Sequence, residues 1–381
     1  MVTAAAASVV AGAALLPNWS AGAAVTDDPT VDPATKATFQ RLADAVFSDR
    51  TNALVDGARS GQQGDHQLTS GFSGKVRLSG TQSRQESSAL SELRGRKSRL
   101  AKLGEKYSAG STSVTLDATQ VKGRRATVDV TETTTLTYAK VHGNEPKTTG
   151  FQAHHELTFR ADRQGNWQLT GIRDTDDGYL AVNQVAKPAV AAPDTAADDG
   201  PPEAARSATT WPASAKPKNF SATGYDYKAM AAYAAKYWNH YNPAYPNYNG
   251  EADGGDCTNF VSQTLKAGGW KHVPGSASDF HKWFGNSEIQ SDSFVGVNEF
   301  SWFALSSKRV TSLANVFQLD VGDVLQMDFN RDGSKDHSMI VTYRSPQGVP
   351  YVTYHSTNTY NRSVASIVAS YPTAAYYAYR T

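Results

Sequence analysis

The stretch GGDCTNFVSQTLKAGGW, residues 254–270, contains Cys257, the single cysteine of the chain. A lone thiol cannot close an internal disulfide, and this one follows two glycines and an aspartate rather than sitting in an apolar run. Asp256 is placed to cap a helix that begins at Cys257, its carboxylate accepting from the free amides of the first turn. Phe260, Val261 and Leu265 then form the inward face, Ser262 and Gln263 turn to solvent or neighbouring backbone, and Gly268–Gly269 supply the stop. The pattern predicts a short buried helix with a thiol at its positive end. There the dipole favours a thiolate, and the Cys257 amide points to where an oxyanion would develop.

A thiol nucleophile needs a base. GDVLQMDF (322–329) and DHSMIVTY (336–343) read as strands joined by NRDGSK. In the second, His337, Met339 and Val341 share one face and Ser338, Ile340 and Thr342 the other. YVTYHSTNT (351–359) reads as a third strand, with Tyr351, Thr353 and His355 alternating against Val352 and Tyr354. A helix that carries Cys, followed by a meander that carries His and another polar residue, is the wiring of a papain-like half-site. The turn DFNRDGSKD also copies the first half of a calcium loop: Asp328, Asn330 and Asp332, then Gly333, then Asp336. Met339 stands where the bidentate Glu belongs. Ca2+ is therefore a candidate brace for the His337 strand, weighed against a plain Asn/Asp/Gly turn; the chemistry itself calls for no cofactor.

From about Tyr225 to the C-terminus the chain resembles the amidase domain of bacterial exported proteins, within the papain-like group that includes the NlpC/P60 and CHAP hydrolases. The matching pieces are YNPAYPNYNGEADGGDCTNFVSQTLKAGGW (241–270), SWF (301–303), GDVLQMDFNRDGSKDHSMIV (322–341) and YHSTNTYNRS (354–363). The resemblance implies Cys257 as nucleophile and His337 as general base. His355, expected beside His337 on the sheet, would orient the imidazole, with Asn358 as second choice. Asp256, Tyr241, Tyr248 and Trp302 are candidate substrate contacts, since aromatic walls suit an extended peptide or glycan. The implied reaction is cleavage of an amide through a thioester, with cell-wall peptides as the substrate class. Acyl transfer from the same thioester, or a wall-binding module without turnover, are the alternatives.

Upstream the pattern changes. Pro33 opens a helix with Phe39, Leu42, Val46 and Phe47 on one face, and a second helix spans Arg84 to Tyr107 with Leu90, Leu93, Leu100 and Leu103 as its stripe. SVTLDATQV, RATVDVTETTTLTYAKV, FQAHHELTFRA and NWQLTGIRD alternate in period two and predict four consecutive strands. Helices followed by strands give an α+β domain over 33–182, similar in layout to cystatin-like and NTF2-like folds. His154 and His155 face opposite sides of their strand and read as structural. Residues 183–222 are Pro/Ala-rich and predict a flexible linker to the domain at 223–381, so the expected fold class is α+β throughout.

Residues 1–32 read as a leader and tail: VTAAAASVVAGAALLP is small and apolar, and AGAA at 21–24 offers a cleavage site, which predicts export. With one cysteine, an exported chain has no disulfide framework. A net charge of +1 without any block of like charge lacks the basic footprint of a nucleic-acid binder. No run reaches membrane-spanning length, so the mature chain is expected to act as a soluble monomer on its amide substrate.

Overall fold

The computed structural model describes residues 31–57, 68, 77–176, 179–185, 201–249 and 255–381. The expected leader, most of the 57–74 loop, residues 186–200 and Gly254 lie outside them. Helix α1 (Pro33–Asn52) starts where Asp32 accepts from the amides of Ala34 and Thr35, with Pro33 in the first turn. It buries Phe39, Leu42, Val46 and Phe47 as its periodicity requires. Strand β1 (Arg77–Leu78) precedes α2 (Gly80–Lys102), whose inward face is more polar than a leucine stripe: Gln82, Glu86 and Arg96 are buried with Leu93 and Leu100. Leu90 and Leu103 are half-buried. The polar positions are tolerated because each finds a partner, as in the Glu86–Arg50 ion pair at 2.7 Å.

The meander β2 (Tyr107–Lys122), β3 (Arg125–Tyr138), β4 (Thr148–Ala161) and β5 (Trp167–Asp174) is antiparallel throughout and covers α1. Its concave side holds a buried polar network: His155 reaches Glu132 at 3.2 Å and Asp174 at 2.9 Å, and Asn183 donates to Glu132 at 2.7 Å. Burial alone would lower the His155 pKa, but the two carboxylates push it up to about 9. His154 points to the other side and pairs with Asp176 at 2.8 Å.

In the second half, α3 (Tyr227–Tyr237), α4 (Cys257–Ala267), α5 (Asp292–Val295) and α6 (Val297–Ser306) precede β6 (Thr311–Leu313), β7 (Val324–Asp328), β8 (His337–Arg344), β9 (Pro350–Tyr354) and β10 (Thr359–Ser363). α7 (Val364–Ser370) and β11 (Ala375–Arg380) close the chain. The strand order β10-β9-β8-β7-β11-β6 is antiparallel at every pairing. Both faces of this sheet are covered. On one, Phe260, Val261, Leu265, Trp283 and Phe303 pack on Val324, Ile340 and Tyr379. On the other, Val364 and Ile367 pack with Leu325, Met327, Met339, Val341 and Tyr354.

Two features differ from a pair of modules on a flexible tether. First, the sheet is continuous. β10 pairs with the start of β4 (Thr359 with Phe151, Tyr360 with Gly150), while residues 155–161 of the same β4 pair with β5. Gly150 makes this close approach possible, because a Cβ there would sit 2.6 Å from the Tyr360 ring and 2.7 Å from the Thr134 carbonyl oxygen. Second, residues 201–222 of the expected linker pack on the second half. Ser207 donates from its amide to Tyr376 O and from its hydroxyl to Leu313 O, both at 2.7 Å. Lys218 is buried and bonds Asp323 at 2.7 Å, Val321 O at 2.8 Å and Thr381 Oγ1 at 2.9 Å. Composition hides this, because much of the attachment is made by backbone and polar groups, with Trp211 against Phe317 at 4.8 Å as its main aromatic contact.

Candidate active site

Gly255 has a φ of +76°, a left-handed turn that delivers the chain into α4. Every residue from Cys257 to Leu265 is buried, including Ser262 and Gln263, which therefore do not face solvent. Ser262 accepts from Trp283 Nε1 at 3.1 Å and Gln263 Oε1 accepts from Tyr233 OH at 2.7 Å. Asp256 holds the N-cap position but makes no side-chain cap. Its Oδ2 instead lies 2.5 Å from His355 Nδ1, and its Oδ1 accepts from the Tyr248 amide at 3.1 Å and Asn259 Nδ2 at 2.8 Å. A buried carboxylate gains more from an imidazole than from capping a helix, so the long-range partner overrides the local rule.

Cys257 is 1 % exposed. Its Sγ lies 3.7 Å from Thr258 Oγ1 and accepts from the Ser338 amide. Thr258 bonds Ser338 Oγ at 2.9 Å, and Ser338 Oγ accepts from Gln326 Nε2 at 3.0 Å, so a buried chain of hydroxyl and amide groups runs from the sulfur. Burial pushes the thiol up, and the neighbouring Asp256 carboxylate adds to this against the hydrogen bonds from Ser338 and Thr258. The expected depression by the helix terminus is thus outweighed by desolvation.

The two imidazoles are separated. His337 lies on the α7 face with Met339, opposite Ser338 and α4, so it is not hydrogen-bonded to Cys257. Its ring lies flat on Tyr179, 4.1 Å away at 7°, and meets Tyr354 edge-on at 5.1 Å. Its Nε2 is buried without a hydrogen-bond partner, and burial, with the Arg362 charge nearby, pushes its pKa down to about 3. His355 is not beside it. It lies on the α4 face, stacked on Phe260 at 4.1 Å and against Tyr241 at 4.3 Å, with Nε2 donating to Tyr237 O at 2.7 Å. The alternation along β8 and β9 separates them: the register pairs Ile340 with Thr353, which puts His355 level with Ser338 rather than His337.

Of the other candidates, Tyr241 donates to Asn358 Oδ1 at 2.9 Å, which leaves Asn358 Nδ2 buried and unpartnered. Tyr248 OH donates to Gln290 at 2.5 Å. Tyr241, Tyr248, Asp256 and Asn358 therefore gather around His355 and the α4 N-terminus, whereas Trp302 is engaged with Glu203 at 2.6 Å and Phe280. The calcium-like loop is closed by its own carboxylates. Asp328 accepts from the amides of Arg331 and Gly333, Asp332 from Ser334 N and Asn330 Nδ2, and Asp336 from Phe329 N. Among the described residues no group of three or more His, Cys, Asp or Glu side chains is arranged to hold a metal ion. These residues form an Asx-stapled turn.

Residues 224–379 match the family model described as "Putative amidase domain". Two proteins of Bacillus subtilis (strain 168) are similar to this chain: "Uncharacterized protein YhbB", 32% identical over 142 residues, 36% of this chain and 44% of the relative, and "Uncharacterized protein YjcM", 33% identical over 151 residues, 37% of this chain and 33% of the relative. The chain spans less than half the length of either. Among solved structures, the intermembrane space region of chloroplast protein ARC6 aligns over 35% of this chain and 95% of its own, with 17% identity and a TM-score of 0.22.

Proposed function

We propose that residues 224–379 hydrolyse an amide bond through a thioester on Cys257, with His337 as general base, in an exported protein acting on cell-wall peptides. The amidase family match supports the reaction class. The observation that carries the residue assignment is that the Ser338 amide touches the sulfur, so the backbone of His337 is already beside the thiol. In the described arrangement the sulfur and the His337 ring are held by different partners. A thiol raised by burial and an imidazole lowered to about 3 are mismatched for proton transfer. Turning over the start of β8 at Asp336–His337 would free the ring from Tyr179, return its basicity and bring its unpartnered Nε2 to the sulfur.

In the reacting state His337 takes the thiol proton and the sulfur attacks the carbonyl carbon, with the oxyanion facing the Cys257 amide. The C–N bond then breaks as His337 returns the proton to the leaving amine, and water hydrolyses the thioester to an acid and the free thiol. Asp256 and His355 hold the α4 N-terminus in place. A second reading is favoured by His355 lying on the thiol's own face and bonded to a carboxylate: the Asp256–His355 pair serves as the base once Nε2 releases Tyr237 O and gives up its proton.

Mass spectrometry of wall fragments incubated with wild type, Cys257→Ala, His337→Phe and His355→Gln tests both. The expected result is new amine and carboxyl ends with wild type alone among the Cys257 and His337 forms. Retained cleavage by His337→Phe with loss in His355→Gln selects the second reading. Identical fragments with and without Cys257 reject a thioester on this substrate.

A further inference from the structure

Residues 179–184 form a strap between the two halves of the chain, tied at each end to buried groups. At the first end the strap lies in the second half. The Tyr179 ring covers His337 at 4.1 Å and 7°, the Tyr179 carbonyl accepts from Thr357 Oγ1 at 3.0 Å, and the Leu180 amide donates to Tyr371 OH at 3.0 Å. In the middle, Ala181 and Val182 are buried in one cluster with Leu54, Leu93 and Phe151, and Arg96 donates to Val182 O. At the far end Asn183 Nδ2 donates to Glu132 Oε1 at 2.7 Å and Thr51 Oγ1 at 3.0 Å, and Gln184 Nε2 donates to Asp174 Oδ1 at 2.9 Å. Glu132 and Asp174 are the two carboxylates that hold His155, so the strap is pinned to the ionic centre of the first half.

A ring laid flat on an imidazole closes that face to solvent and to any new partner. With Tyr354 meeting the same imidazole edge-on at 5.1 Å, His337 is close-packed, and such a group changes place between discrete arrangements rather than by drifting. For His337 to reach the thiol's face, Tyr179 must lift. Lifting it pulls the backbone away from Thr357 and Tyr371 and strains the short run to Asn183 and Gln184. The two ends are held by different means. The end on His337 rests on ring contacts and neutral hydrogen bonds, whereas the far end rests on bonds to carboxylates, which are the stronger kind. The far anchors therefore resist the motion at His337 without touching it.

We propose that residues 179–184 are a latch through which the first half of the chain holds His337 away from the thiol's face, so that loosening the latch speeds amide cleavage. The effect on cleavage rests on the reading of His337 as general base; the restraint on the ring does not. Tyr179 is a positioning residue that acts through His337, and Asn183 and Gln184 act through Tyr179. The first half thereby governs the site in the second.

The test follows deuterium exchange at the imidazole Cε1–H of His337 by mass spectrometry of the full chain, alongside cleavage of a purified wall peptide. Wild type and Tyr179→Phe, which keeps the ring, should exchange equally slowly. Tyr179→Leu, and Asn183→Ala at the far anchor, should exchange at least about tenfold faster as the opening equilibrium shifts. In the same two variants kcat should rise with KM unchanged. His355, on the opposite face of the sheet, should keep its exchange rate throughout. Thermal melts establish that each variant is folded, and Gln184→Ala replaces Asn183→Ala if that variant melts early. An unchanged His337 rate in the folded strap variants, or an equal rise at His355, overturns the latch. Faster His337 exchange without faster cleavage, where wild type does cleave, overturns its control of the reaction. Failure of the underlying reading has another signature: no form cleaves, wild type included, while His337 exchange still separates the variants and upholds the restraint.

Discussion

On the α4 face of β8, Ser338 bonds Thr258 through its hydroxyl and meets the thiol with its amide; on the α7 face, one residue earlier, His337 lies flat on Tyr179. The first face is polar close to the sheet, with hydroxyls, the Asp256–His355 pair and a sulfur. The second is an aromatic stack of Tyr179, His337, Tyr354 and Phe329, with Arg362 5.7 Å from the Tyr179 ring. A period-two strand thus puts adjacent residues in unlike solvents. The thiol and the imidazole are both displaced from their ordinary pKa values by the same cause, burial, and in opposite senses.

Four measurements break or sharpen this contrast. Cys257→Ala should remove amide cleavage by about three orders of magnitude or more while leaving the melting curve nearly unchanged. A variant that still cleaves would take the chemistry away from the α4 face. Next, Asp256→Asn removes the buried carboxylate bonded to His355 Nδ1 and should lower unfolding free energy in urea by about 3–5 kcal/mol. Asp256→Asn combined with His355→Gln should recover part of that loss. Purely additive losses would mean the two residues act independently.

The third concerns acid. In the described state His337 is held neutral, with its pKa lowered from 6.5 to about 3. A depressed folded pKa contributes stability that is present above the unfolded value and is lost as pH falls through the folded one. The loss should therefore run from about pH 6.5 down toward pH 3 in wild type. His337→Phe keeps a ring on Tyr179 and has nothing to protonate, so its stability curve should be flatter over that window. Parallel curves would show that His337 is not sequestered. The smallest effect is expected from Tyr179→Phe. The Tyr179 hydroxyl is buried without a partner, so its removal should be neutral or stabilise by up to about 1 kcal/mol in urea melts. A destabilisation of several kcal/mol would reveal a bonded hydroxyl.

Much of this was legible in the residues. The faces of α1, the four consecutive strands, the start of α4 at Cys257 and the two alternating sets along β8 all follow from local spacing. The local pattern divides β8 into two sets but does not say which set meets α4. That is decided by packing between distant segments, Thr258 on Ser338 and Tyr179 on His337. Asp256 shows the same limit: a local capping rule lost to a partner 99 residues away. Residues 201–222 have the Pro/Ala-rich composition of a tether, and composition does not reveal the buried acceptors that Ser207 and Lys218 find.

The join between Gly150 and Tyr360 has a practical corollary. A polypeptide trimmed to residues 224–379, the extent of the family match, would retain β10 but lose β4, its partner on one side. The bared row of amides and carbonyls would be a template for another copy of itself. Such a fragment should aggregate unless that rim is blunted.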